Sequence, residues 1–79
     1  MNLLYPAKFK RQPDGGYSVQ FVDLPEAITE GDTFDDAMLH AREVLSMSLR
    51  GRIDDGKAIP LPSVPKGRQA HLVAPVVQV

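Results

Sequence analysis

The sequence predicts an α+β fold of order β-β-β-α-β, an antiparallel meander with one helix packed on one face of the sheet. Apolar and polar residues alternate before residue 31, and apolar residues recur with helical spacing after it. Clusters of Asp, Gly and Pro separate these segments. At 79 residues, the chain is long enough for a single domain, spanning residues 1–79, with a small core.

The first two strands are predicted to form a β-hairpin. In the first strand, residues 3–10, the apolar side chains at odd positions share one face, opposite Lys8 and Lys10. Residues 12–16 combine Pro with Asp-Gly-Gly, a composition typical of tight turns. The second strand, residues 17–21, has the clearest alternation in the chain.

A bend at Pro25 leads to a short third strand, residues 27–30, and then to the helix. Thr33 is the expected N-cap, and the helix should run from residue 34 to about residue 50, with Gly51 as its C-cap. One apolar stripe of this helix is expected to pack on the sheet. The stripe consists of Phe34, Ala37, Met38, Ala41, Val44, Leu45, Ser48 and Leu49.

The chain after the helix is predicted to be mostly extended. The proline-rich residues 58–65 should form a connector across the helix end, anchored by Ile59 and Leu61, or alternatively a ligand for a proline-binding domain. Residues 70–74 are the expected last strand. The apolar tail 76–79 invites pairing with another copy or a partner. Because small domains without disulfides gain stability by self-association, we expect a dimer or tetramer.

Composition argues against several classes of protein. There is no cysteine, and His40 and His71 are far apart in sequence, so we expect neither a metal ion nor another cofactor. The N-terminus lacks the features of a signal peptide, and no apolar run reaches the ~20 residues that span a membrane. We therefore expect a cytoplasmic protein without membrane contact.

Charge is distributed unevenly along the chain. Residues 1–11 carry +3, residues 12–41 carry −7 and residues 42–79 carry +3, which sum to the net charge of −1. The acidic segment is a candidate surface for a basic partner. Acids also favour turns and first helical turns, an alternative that accounts for Asp32, Asp35 and Asp36. This alternative is weaker for Asp23, Glu26 and Glu30, because no helix terminus explains them.

Several motifs, in this order and spacing, make the sequence resemble the HicB family of antitoxins over about residues 5–63. The motifs are Tyr5-Pro6, Asp14-Gly15-Gly16-Tyr17, Val19-Gln20-Phe21-Val22-Asp23-Leu24-Pro25-Glu26, Thr29-Glu30-Gly31-Asp32-Thr33, the helical Ala37 and Ala41, and Asp55-Gly56-Lys57-Ala58-Ile59-Pro60-Leu61-Pro62-Ser63.

The resemblance implies a degenerate ribonuclease-H-like fold and a role in a type II toxin-antitoxin system. In that role the chain would neutralise a small basic ribonuclease toxin of the HicA type, which cleaves mRNA. Family members usually carry a C-terminal DNA-binding module, which we expect to be absent here because the sequence ends at Val79. Either the chain is naturally short or it is an isolated N-terminal domain. DNA binding by this chain alone is therefore not expected.

Three functional hypotheses follow. In the first, a protein-binding module, carboxylates and exposed apolar side chains contact the toxin. The candidate interface residues are Asp23, Leu24, Pro25, Glu26, Ile28, Glu30 and Asp32.

In the second hypothesis the chain is a metal-dependent nuclease, in which carboxylates must converge on two metal ions. The first strand lacks the acid that such a fold requires, so we do not expect an enzyme. The third is a stand-alone assembly domain that oligomerises through its last strand.

Overall fold

The computed structural model describes residues 3–76 and confirms the predicted element order. The elements are β1 (Tyr5–Arg11), β2 (Tyr17–Phe21), β3 (Ile28–Gly31), α1 (Phe34–Asp54) and β4 (Ala70–Val73). The strand ends lie within two residues of the predicted ones.

The four strands form one antiparallel sheet in the order β3-β2-β1-β4. The predicted hairpin joins β1 to β2, and Gly15 supplies the positive φ angle (95°) that its turn requires. Pro6 accepts a hydrogen bond from the Val22 amide (3.1 Å), just beyond the end of β2. Pro6 is the second residue of β1, so the N–H that it lacks falls at the end of the strand, as expected. Strands β3 and β4 form the two edges of the sheet.

The core lies between α1 and one face of the sheet, which leaves the opposite face, here called the open face, uncovered. The predicted apolar stripe of α1 is confirmed, because its buried residues point at the sheet. The buried apolar residues are Tyr5, Ala7, Phe9, Val19, Phe21, Leu24, Ala27, Ala37, Ala41, Leu45, Leu49 and Val73.

The helix begins where the sequence predicts and ends later. The Thr33 hydroxyl accepts a hydrogen bond from the Asp36 amide (3.1 Å), which confirms Thr33 as the N-cap. The prediction of Gly51 as the C-cap is wrong, since the helix continues to Asp54 and the cap is Asp55. The glycine that follows the cap in a left-handed conformation is Gly56 (φ 72°).

The proline-rich connector is held by side-chain hydrogen bonds as well as by apolar contact. The buried Tyr5 hydroxyl donates to the Pro60 carbonyl (2.7 Å), and Ile59 packs against the core. The prediction of Leu61 as a second anchor is wrong, because that side chain is 88% exposed. Of the predicted apolar tail, residues 77–79 lie outside the described residues.

Candidate functional site

The predicted interface residues fall into two neighbouring regions of the structure. The bend, residues 22–27, connects β2 to β3 and carries Asp23, Leu24, Pro25 and Glu26. The remaining three, Ile28, Glu30 and Asp32, lie on β3 and just after it. The two regions differ in what their carboxylates contact.

Asp23 attaches the bend to the proline-rich connector. Its carboxylate accepts a hydrogen bond from the Ser63 amide (2.8 Å) and another from the Ser63 hydroxyl. The partner lies 40 residues away in sequence, so the charge pattern gave no indication of this contact.

Glu26 attaches the bend to the last turns of α1. The Arg52 guanidinium donates to its carboxylate through Nε (2.8 Å) and Nη2 (3.0 Å), and the Ser48 hydroxyl donates to it as well. These hydrogen bonds, that of Arg52 above all, hold the pKa of Glu26 at about 2, below its ordinary value of 4.5. The charge of Glu26 is therefore already paired within the domain.

Leu24 and Pro25 occupy opposite environments within the bend. The Ala27 amide donates to the Leu24 carbonyl (2.8 Å), which closes a turn and directs the fully buried Leu24 side chain into the core. Leu24 therefore offers no side-chain surface to a partner, contrary to the expectation that it supplies the apolar centre of an interface. Pro25, in contrast, is exposed.

The second region forms what we call the acidic edge, which consists of Asp14, Ile28, Glu30 and Asp32. Ile28 is 59% exposed and pairs with Gln20, while Glu30 pairs with Ser18, so both side chains lie on the open face. Within residues 3–76, none of its three carboxylates takes part in a salt bridge.

A cleft of about 440 Å³ brings these carboxylates together at the hairpin end of the sheet. Asp14, Glu30 and Asp32 all line it, together with polar groups of the turn. Asp14 was not among the candidate interface residues predicted from the sequence, although the predicted hairpin already placed it in the turn between β1 and β2. An antiparallel pairing of β2 with β3 necessarily returns the end of β3 to the first turn, as the Tyr17–Gly31 pair shows.

Gly31 fixes the position of the acidic edge relative to the helix. A Cβ atom at this position would lie 2.3 Å from the backbone nitrogen of Ala37, a separation that only a glycine allows. The helix start consequently packs directly on the end of β3, and Asp32 follows at the mouth of the cleft.

The chemistry of the acidic edge suits a cation supplied by a partner. Carboxylates bind guanidinium and ammonium groups through charge-assisted hydrogen bonds. The residues from 3 to 76 contain no group of three or more His, Asp or Glu side chains placed to hold a metal ion. In the same part of the chain, no helix has the length and apolar character needed to cross a membrane.

Comparisons with known proteins agree on the family. Residues 4–79 match the family model described as "HicB_like antitoxin of bacterial toxin-antitoxin system". Antitoxin HicB of Escherichia coli (strain K12) is 41% identical over 69 residues, which cover 87% of this chain and 49% of the relative. Antitoxin HicB 1 of Photorhabdus laumondii subsp. laumondii is 39% identical over 61 residues, 77% of this chain and 39% of the relative.

A solved structure supports the fold independently. The N-terminal domain of the Burkholderia pseudomallei antitoxin HicB superposes with a TM-score of 0.72 at 18% identity, covering 98% of this chain and all of that one. The chain spans about half the length, or less, of the curated relatives named above. On the family match and these sequence identities, the chain belongs to the HicB-like family of bacterial antitoxins.

Proposed function

We propose that this chain binds and neutralises a small basic ribonuclease toxin of the HicA type, without a catalytic role of its own. The acidic edge carries the proposal, because three carboxylates share one cleft without a cation from residues 3–76. A ribonuclease presents basic groups to RNA phosphates, and carboxylates on a partner can occupy those groups instead. Membership in an antitoxin family supports the same conclusion.

The proposed contact surface includes Ile28, Glu30 and Asp32 from the predicted set, joined by Asp14 and the exposed Pro25. Ile28 contributes an apolar contact beside the carboxylates, as protein interfaces require. Asp23 and Glu26 act indirectly, since their internal hydrogen bonds hold the bend that presents Pro25.

Titration calorimetry with a purified HicA-type ribonuclease from the same source tests the proposal. We expect stoichiometric binding that weakens at high salt, because exposed charges are screened there, together with loss of RNA cleavage in the complex. Absence of binding at low salt, with cleavage unaffected, would refute the proposal.

Self-association through β4 is a second candidate role. This strand is an edge of the sheet and exposes Leu72 by 47%, both features that favour pairing with another copy. Sedimentation velocity of the chain alone should then show a dimer or tetramer. A monomer at all concentrations would exclude this role and leave toxin binding untouched.

A further inference from the structure

The backbone of β3 presents unpaired polar groups at the edge of the sheet. The Phe21 amide donates to the Ala27 carbonyl (3.1 Å), so the next bonded pair along this antiparallel ladder is Val19–Thr29. The intervening residues, Ile28 and Glu30, must therefore direct their N–H and C=O groups away from β2 and toward the open edge.

A histidine of the helix confirms this direction. His40 lies with its Nδ1 2.8 Å from the Glu30 carbonyl oxygen, which is possible only if that carbonyl points outward. Within residues 3–76, the Ile28 N–H, the Ile28 C=O and the Glu30 N–H have no comparable partner. Natural proteins usually block such edges, and here only one of the four groups is blocked.

The side chains beside these groups define what can pair with them. Ile28 and Glu30 project onto the open face, and Asp32 follows them at the cleft. A strand laid antiparallel on β3 would place every second side chain on this face. Its matching sequence is basic-x-basic-x-apolar, with basic residues opposite Asp32 and Glu30 and an apolar residue opposite Ile28.

We propose that the basic partner adds a β-strand to the open edge of β3, using the Ile28 N–H and C=O and the Glu30 N–H together with the acidic edge. This inference rests on the proposed function and specifies its binding mode. Backbone hydrogen bonds supply the alignment in such strand addition, and alternate side chains supply the specificity.

The opposite edge of the sheet provides a matched control. The Phe9 amide donates to the Gln69 carbonyl (2.8 Å), so in β4 the outward-facing residues are Ala70 and Leu72. Lys66 and Arg68, which precede this strand in sequence, and Lys8, which pairs with Ala70, are exposed and would repel a basic strand. Strand addition by the same partner should therefore be confined to β3.

Proline substitution removes one outward N–H without touching an internal ladder bond. Ile28→Pro should weaken binding of the HicA-type ribonuclease by about tenfold relative to Ile28→Ala, which also loses the side chain but keeps the N–H. Leu72→Pro, the equivalent change on β4, should leave the affinity within about twofold of the wild type. Equal affinity of folded Ile28→Pro and Ile28→Ala would overturn strand addition.

Amide hydrogen exchange on the wild-type complex tests the same point without any substitution. Binding should slow exchange of the Ile28 and Glu30 amides by about tenfold or more. The Thr29 amide, which faces β2, should change little. Binding without protection of Ile28 and Glu30 would contradict this binding mode alone, whereas absence of binding would contradict the proposed function.

Discussion

The bend and the part of the acidic edge that follows it, residues 28–32, carry two carboxylates each, yet the carboxylates of the two segments have different contacts. In the bend, Asp23 binds Ser63 and Glu26 binds Arg52, so these charges fasten the connector and the helix end to the sheet. At the acidic edge, Glu30 and Asp32 line a cleft with Asp14 and take part in no salt bridge within residues 3–76.

The difference shows that charge density alone does not identify an interface. A carboxylate that is paired inside its own domain binds a partner weakly, because the partner's cation must first displace the internal donor. A carboxylate in a cleft without a cation can bind the partner's cation without breaking an internal interaction. We therefore assign the carboxylates of the bend to stability and those of the acidic edge to binding.

The largest effect on stability should come from the buried residue of the bend. Leu24→Ala removes a fully buried side chain and should cost about 2–5 kcal/mol of unfolding free energy. This corresponds to a decrease in Tm of roughly 10 °C or more for a domain of this size. Thermal unfolding followed by circular dichroism measures it.

Ile28→Ala is the matched control for that experiment. The same kind of truncation four residues away, at a side chain that is 59% exposed, should cost less than about 1 kcal/mol. Similar losses for the two variants would show that the bend and the acidic edge are not energetically distinct.

A smaller and pH-dependent effect should come from Glu26. Its pKa is depressed to about 2 in the folded state, so its contribution to stability is present above the ordinary pKa of 4.5 and is lost as pH falls toward 2. Glu26→Gln should therefore lower Tm by a few degrees at neutral pH, a modest amount because the carboxylate is half exposed.

The Tm difference between the wild type and Glu26→Gln, measured across this pH range, isolates the contribution of Glu26 from the other carboxylates. It should shrink as the pH falls and vanish near pH 2. A difference that stays constant with pH would show that the Glu26–Arg52 pair does not contribute through its charge.

The fold was predictable because its signals are local. Alternation around Val19, the Asp-Gly-Gly turn and the Thr33 cap each act within a few residues, and all are confirmed. The helix end was missed because Gly51 resembles a cap in sequence, while the chain has a second glycine, Gly56, that adopts the left-handed conformation. Helix propensity tolerates one internal glycine at a cost of about 1 kcal/mol.

The division of the acidic residues was not predictable from the sequence. The partners of Asp23 and Glu26 lie 40 and 26 residues away, and no periodic pattern connects them. Burial of Leu24 beside an exposed Pro25 likewise depends on the turn closed by the Ala27 amide. The placement of Asp14 and Glu30 in the same cleft could have been predicted from the sequence, since it follows from strand register alone.

The most direct test of the central claim compares two double variants by both Tm and affinity for the HicA-type ribonuclease. The edge variant, Glu30→Lys with Asp32→Lys, should keep its Tm within a few degrees and lose affinity by about a hundredfold or more, because it places like charges together. The bend variant, Asp23→Asn with Glu26→Gln, should lower Tm and bind nearly as well as the wild type. Loss of affinity in the folded bend variant, with binding by the edge variant unchanged, would contradict the account.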